Sequence, residues 1–225
     1  MPHDRFFTPV DLAVGTTVML EKEERHHLHK VMRKKEGDIV EVVNGKGGIA
    51  DGKVLPSLDL LVEKVYELPA HPLDLTLALA LTVPNHLEWA IEKGTELGVA
   101  RFLLFPGDHS QKKELSENQL VRLQKITIAA MKQSGRGTLP PIELFPPIKK
   151  WSSFEQPLFF GDFENYKPAQ LPKKGKMIFA VGPEAGWSDS ECAKLKEIGG
   201  QSYLLSTYTL RAETAAIVAA ALLLH

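Results

Sequence analysis

A nearly continuous apolar segment at residues 75–83 constrains this chain more than any other feature of its sequence. Such a segment is typical of a strand buried on both faces, as in a parallel sheet that helices cover. An amphipathic helix is predicted directly after it, over residues 85–97, with Gly98 as its end. A buried strand followed at once by a helix predicts an α/β domain with a parallel sheet.

Strands and helices continue to alternate up to the C-terminus. The further strands are predicted at residues 99–105, 158–160, 177–181 and 201–205, and the further helices at 116–133, 188–198 and 211–224. In open α/β sheets, ligands bind at the carboxyl ends of the strands. The candidate ligand-binding loops are therefore those after residues 83, 160, 181 and 205.

The N-terminal part shows a different pattern, with short apolar or alternating runs separated by turn residues. One helix interrupts them at residues 23–34, with Leu28, Val31 and Met32 on one face. The predicted strands lie at residues 18–20, 39–43, 48–54 and 60–66. Short strands at this spacing predict a small β-barrel. A Leu-Pro-Ala-His-Pro linker then divides the chain into a domain of residues 1–70 and a domain of residues 73–225.

Composition excludes several classes of protein. The net charge of −1 neither favours nor excludes a nucleic-acid partner, so the local distribution of cations matters more. A single cysteine, Cys192, allows no intramolecular disulfide and no cysteine-based zinc site, and we expect no metal. The polar first ten residues do not resemble a secretory signal, and the longest apolar run is about half of a membrane span. We expect a cytoplasmic protein without membrane contact.

The segment Val-Gly-Pro-Glu-Ala-Gly-Trp-Ser at residues 181–188 is the strongest candidate for a ligand site. It follows a buried strand and leads into a helix capped by Ser188 and Glu191. Its glycines permit close approach of a ligand to the backbone, and Pro183 stiffens the loop. Such a loop can surround an adenine with main-chain groups, although a tight strand-to-helix turn explains the same residues about as well.

A second candidate loop runs through residues 204–215 and opens the last helix with Arg211 and Glu213. Glu213 complements the positive end of the helix dipole, which is an adequate structural explanation for it. Arg211 opposes that dipole, which favours a functional role for it.

Cations concentrate at residues 25–35, where arginine, lysine and histidine dominate. Such a cluster binds phosphates, but a charge run is more often only a solvated surface. Arg5 stands beside two phenylalanines and suits either a nucleic-acid contact or an edge strand. Arg136 follows a predicted helix, where its charge is favourable by dipole alone and also suits a phosphate contact.

Taken in order, these segments resemble the RsmE family, the 16S ribosomal RNA uridine N3-methyltransferases of the SPOUT superfamily. The resemblance covers nearly the whole chain. Its motifs are Arg-Phe-Phe at residues 5–7, His27-Leu28 through Arg33, Gly37-Asp38, Asn44-Gly45, KGTELGV at 93–99, the helix at 125–136, GPEAGWS with Glu191, and Leu210-Arg211 with Glu213-Thr214-Ala215.

The resemblance implies a PUA-like RNA-binding barrel followed by a SPOUT domain whose C-terminal chain forms a trefoil knot. It implies a homodimer that acts on 16S ribosomal RNA, within the small ribosomal subunit. S-adenosylmethionine is expected in the knot loops, against Phe160, Gly161, Val181, Gly182, Pro183, Gly186, Leu204, Leu205, Ser206 and Leu210. RNA contacts are assigned to Arg5, Arg33, Lys34 and Arg136, and catalysis to Arg211 and Glu213.

Two departures from the family pattern keep an alternative open. Ala185 replaces a usual glycine, so a positive φ there would be strained. Residues 206–208 read Ser-Thr-Tyr, where the family has a glycine and an arginine. The alternative is a SPOUT-fold RNA-binding protein with weak methylation or with a different target.

We expect the last helix to form part of a homodimer interface. It is apolar around most of its circumference, and a helix of that kind is usually covered on both sides. Light scattering at micromolar concentration is therefore expected to give twice the mass of one chain. The mass of a single chain at that concentration would contradict this prediction.

Overall fold

The computed structural model describes residues 4–162 and 171–225, which belong to two compact units. The first unit comprises the residues up to Ala70 together with Ile128–Leu139. The second comprises His71–Thr127 and the chain from Pro140 onward. No helix in the described ranges is both long enough and apolar enough to cross a membrane.

The first unit is built on a five-stranded sheet in the order β1-β3-β4-β5-β2. Its strands are β1 Arg5–Phe7, β2 Thr17–Val18, β3 Ile39–Val43, β4 Gly48–Val54 and β5 Leu60–Glu67. β1 pairs with β3 in parallel, and the other pairs are antiparallel. Inward side chains such as Phe6, Leu28 and Val42 form its core and are fully buried.

The helix predicted at residues 23–34 is shorter and changes type along its length. It begins as α1 Lys22–His26 and continues as one π-helical turn, His27–Val31. The wider turn, seen in the bond from Met32 N to His27 O, rotates the later residues around the axis. Leu28 is buried as predicted, but Val31 is 57% exposed, so its assignment to the buried face was wrong.

The second unit contains a six-stranded sheet in the order β11-β9-β10-β6-β7-β8, and all its pairs are parallel. The strands are β6 Leu73–Ala80, β7 Arg101–Phe105, β8 Ile142–Leu144, β9 Leu158–Gly161, β10 Gly175–Val181 and β11 Gln201–Tyr203. The helices are α2 Pro84–Leu97, α4 Asp189–Glu197 and α5 Ala212–Leu224, with a short 3₁₀ turn at Ile148–Lys150. Helix α3 Glu117–Ser134 begins in this unit, and its residues from Ile128 onward belong to the first unit. The predicted α/β fold with a parallel sheet is confirmed.

Apolar side chains bury both faces of the central strand β6, as its sequence predicts. Residues 75–80 are all buried in it, and α2 and α5 pack together on one side. Gly94 lets α2 approach β7 closely, because a Cβ there would lie 2.9 Å from the Phe102 ring. Gly98 ends α2 in the left-handed conformation, with φ of 100°.

Helix α5 is covered by its own chain along one side. Ala216, Ala219, Ala220 and Leu224 are buried there, in the core that α2 and β6 share. Leu222 is 57% exposed on another part of its surface.

Candidate functional site

Three loops form one cleft at the carboxyl edge of the parallel sheet in the second unit. They follow β9, β10 and β11, which are neighbours in the order β11-β9-β10. Parallel neighbours end at the same edge, so these loops converge there. The cleft has a volume of about 480 Å³, which is in the range of small-molecule sites.

Trp187 joins two of these loops. Its indole N–H donates to the carbonyl oxygen of Gly161 over 2.7 Å, and its ring stacks parallel to Phe105 with centroids 6.1 Å apart. A Cβ on Gly182 would lie 3.0 Å from the Trp187 ring. Gly182 therefore permits the close packing that fixes the loop after β10.

The start of α4 holds the other end of that loop. Ser188 and Glu191 form the predicted capping box, in which each side chain accepts from the other residue's N–H. Glu191 is buried and also accepts from Asp108 N over 2.9 Å. The Ser188 hydroxyl donates to Asp108 and holds the pKa of that carboxyl below its usual value. His109 Nδ1 lies 3.1 Å from Gly186 O, so the loop after β7 braces the cleft.

The sequence did not predict the contacts of Asp108 and His109 with the loop after β10, because these two residues follow a strand whose loop has no motif of its own.

The backbone strain that a positive φ at Ala185 would cause is absent. Within the described residues, Arg33 and Leu58 are the non-glycine residues with positive φ, and Gly186 adopts φ of 78°. The glycine beside Ala185 thus supplies the left-handed conformation of the loop.

The predicted cofactor residues come together, with one exception. Phe160 is fully buried in the core behind the cleft. The residues that line the cleft are Gly161, Val181, Gly182, Pro183, Gly186, Leu204, Leu205, Ser206 and Leu210.

Arg211 and Glu213 lie beside the cleft but are not among the residues that line it. Arg211 is exposed at the N-cap of α5, with extended backbone, rather than in the first helical turn as predicted. The side chain of Glu213 is 12% exposed and faces His86, with Glu213 Oε2 at 3.7 Å from His86 Nδ1.

Carboxylates supply the charge of the cleft lining. Asp162, Glu184 and Asp189 are present, and no lysine, arginine or histidine lines the described part of the cleft. A negative lining attracts a cationic ligand.

Burial raises the pKa of the Cys192 thiol, which disfavours the thiolate needed for nucleophilic chemistry. In the described ranges, no three His, Cys, Asp or Glu side chains are grouped to hold a metal ion.

The four predicted RNA-binding cations all lie in the first unit, in different environments. Arg5 pairs with Glu41 and donates to Lys132 O over 2.9 Å. Lys34 pairs with Asp4 at 2.5 Å, whereas Arg33 is exposed and has φ of 54°. Arg136 donates to the Thr138 hydroxyl, and burial lowers its pKa to about 10, so it stays charged at neutral pH.

Two family models match this chain. The model of an RNA methyltransferase domain matches residues 69–224, and the model of an RNA methyltransferase PUA domain matches residues 20–57.

Several similar proteins carry the name ribosomal RNA small subunit methyltransferase E. The one from Synechocystis is 31% identical over 92% of this chain and 73% of its own length. The one from Aquifex aeolicus is 30% identical over 94% and 95%, respectively. A crystal structure of the Neisseria gonorrhoeae protein, bound to S-adenosyl methionine, is 28% identical and has a TM-score of 0.87, covering 98% of this chain and 96% of that one.

We predict that Trp187→Phe lowers the free energy of unfolding by about 0.5–1.5 kcal/mol, the usual net contribution of one hydrogen bond. The substitution keeps an aromatic ring against Phe105 but removes the donor to Gly161 O. Urea unfolding measures the change. The matched control is Trp89→Phe on α2, because that ring is 53% exposed. Equal stability of the Trp187 variant and the wild type would show that this bond does not hold the two loops.

Proposed function

Because the chain belongs to the ribosomal RNA small subunit methyltransferase E family, we propose that it transfers a methyl group from S-adenosylmethionine to N3 of a uridine in 16S ribosomal RNA. The observation that carries the proposal is the acid-lined cleft at the ends of β9, β10 and β11. The family resemblance supplies the N3 position and the 16S target.

The residues of the cleft fit this methyl donor. S-adenosylmethionine carries a sulfonium cation, and the carboxylates of Asp162, Glu184 and Asp189 offer a complementary lining. Main-chain groups of residues 182–187 and 204–206 are available to an adenosine, because the side-chain position of Gly186 has no neighbouring atom within 4 Å and glycine leaves that space open. We assign the donor to the lining residues Gly161, Val181, Gly182, Pro183, Gly186, Leu204, Leu205, Ser206 and Leu210, with Phe160 as support behind them.

When bound, the donor supplies an electrophilic methyl group. Uridine N3 carries a proton and becomes a good nucleophile only when that proton leaves, so negative charge develops on the base. We assign Arg211 to stabilise this charge at a uridine oxygen, since it stands exposed between the lining residues Leu210 and Ala212. Glu213 is the other residue that the resemblance assigns to catalysis, but its carboxylate faces His86 and does not line the cleft.

We assign RNA binding to residues 1–70, the proposed PUA-like domain, and methyl transfer to residues 73–225. Arg33 is the most direct candidate for a phosphate contact, because it is exposed and held in an uncommon backbone conformation. Lys34, Arg5 and Arg136 supply further charge, though their present partners would compete with phosphate.

The family resemblance supports several finer proposals. They are a C-terminal trefoil knot, a homodimer, a substrate within the small ribosomal subunit and a cytoplasmic location.

A second candidate function is RNA binding with weak methylation or methylation of a different target. It is favoured by Ser206–Tyr208, the segment that departs from the family pattern. Ser206 and Tyr208 line the cleft, and Tyr208 is 79% exposed, so the departure falls at the site itself.

A methyl-transfer assay tests the proposed function and separates the two candidates. The chain is incubated with methyl-labelled S-adenosylmethionine and small-subunit ribosomal RNA, and the nucleosides are analysed by mass spectrometry. Label on N3 of a uridine is expected. Label on another base, or bound donor without transfer, would favour the second candidate. Absence of donor binding would contradict both forms of methylation.

Two sets of variants separate catalysis from RNA binding. Arg211→Ala is expected to lower the transfer rate by about 10²-fold or more with unchanged RNA affinity. Normal turnover of this variant would remove Arg211 from the mechanism.

Arg33→Ala with Lys34→Ala is expected to weaken RNA binding and reduce its salt dependence, without changing donor affinity. Lys46→Ala with Lys53→Ala removes the same charge from exposed positions of the same unit and is the control.

A further inference from the structure

An imidazole stands between two carboxylates beside the proposed cofactor cleft. Nδ1 of His86 lies 3.4 Å from Oε1 of Glu184 and 3.7 Å from Oε2 of Glu213. The three residues come from different elements: the first turn of α2, the loop after β10 and the first turn of α5. Glu184 also lines the cleft, so this group of side chains reaches the cofactor loop directly.

The carboxylate of Glu213 needs a positive neighbour. Its Oε2 is buried and accepts no hydrogen bond from the residues that the structure describes, and an unpaired buried carboxylate is costly. The Glu184 oxygen that faces His86 also accepts from Val83 N over 3.3 Å. His86 is thus the cation-capable side chain that both carboxylates share.

Two carboxylates lie against His86 in the first turn of α2, where a cation without such partners would oppose the helix dipole. The groups that face the imidazole are Glu184 from the loop after β10 and Glu213 from α5. The other described residues around the small cavity next to His86 are uncharged: Leu79, Ala80, Thr82, Leu87, Ala90, Val181, Gly182 and Ala212.

We propose that His86 is a positioning residue that, in its protonated form, ties the loop after β10, through Glu184, to the start of α5, through Glu213. The inference rests on the proposed function, because the loop it positions is the wall of the proposed donor site. In this arrangement Glu213 holds His86 and does not serve as a base toward the uridine.

The proposed tie depends on the positive charge of the imidazole, which histidine side chains in general lose between about pH 5 and 8. A neutral ring no longer attracts two carboxylates, so the loop after β10 would be held less firmly as pH rises through this range. Affinity for S-adenosylmethionine should therefore fall by about fivefold, the effect of one modest ion pair.

Calorimetric titration of the full chain with S-adenosylmethionine, repeated across that pH range, tests the proposal. His86→Gln is expected to bind about fivefold more weakly at the acidic end and to show no further loss as pH rises. His86→Lys keeps a cation at every pH, so it is expected to restore affinity and remove the pH dependence. His225→Gln, at the far end of α5, is the matched control and should behave as the wild type.

Glu213→Gln distinguishes positioning from base catalysis. For a positioning role, donor affinity falls, and the double variant with His86→Gln loses no more than either single variant. A fall in transfer rate at unchanged donor affinity would instead make Glu213 a base and overturn the proposal. Thermal unfolding of each variant confirms that it is folded at the titration temperature.

The same pH dependence in His86→Gln as in the wild type would also overturn the proposal, as would a wild-type affinity that does not change with pH. Neither result touches the proposed function, since the donor still binds. A wild-type chain that binds no S-adenosylmethionine at any pH would instead refute the proposed function itself.

Discussion

The parallel hydrogen-bonded pairing of β9, β10 and β11 is the constraint on which the rest of the second unit depends. Buried backbone groups must be paired, and parallel pairing makes neighbouring strands end at one edge. Three loops far apart in sequence therefore meet there. The indole of Trp187 and the capping box at the start of α4 then fix their conformation. The cleft follows from the sheet.

The sequence predicted those features of the fold that depend on residues close together in the chain. The apolar run in β6, Gly98 after α2 and the capping pair at Ser188 each depend on near neighbours, and each was confirmed. Contacts between distant loops were not predictable: His86 and Glu184 are 98 residues apart and have no periodic signal. The π turn after α1, the short edge strand β8 and the membership of Ile128–Leu139 in the first unit likewise lack a local pattern.

The net charge of −1 does not describe the local charge at either proposed site. In the described part of the cleft, the charged lining residues are all carboxylates, whereas the proposed RNA-binding cations lie in the first unit. An acidic cleft suits a sulfonium cofactor and disfavours phosphate. Under the proposed function, a base would enter the cleft while its backbone is bound elsewhere, and Arg211, exposed beside the cleft lining, is the cation proposed to meet that base.

The loops after β9, β10 and β11 are the proposed site of S-adenosylmethionine. Hydrogen exchange read by mass spectrometry, with and without saturating donor, is the direct test, because bound ligand suppresses local opening of the backbone it contacts. Slower exchange is expected at residues 182–187 and 204–210, with unchanged exchange in β3 and β4 of the first unit. Donor binding that leaves both loops exchanging at their free rates, or protects the first unit instead, would contradict this assignment.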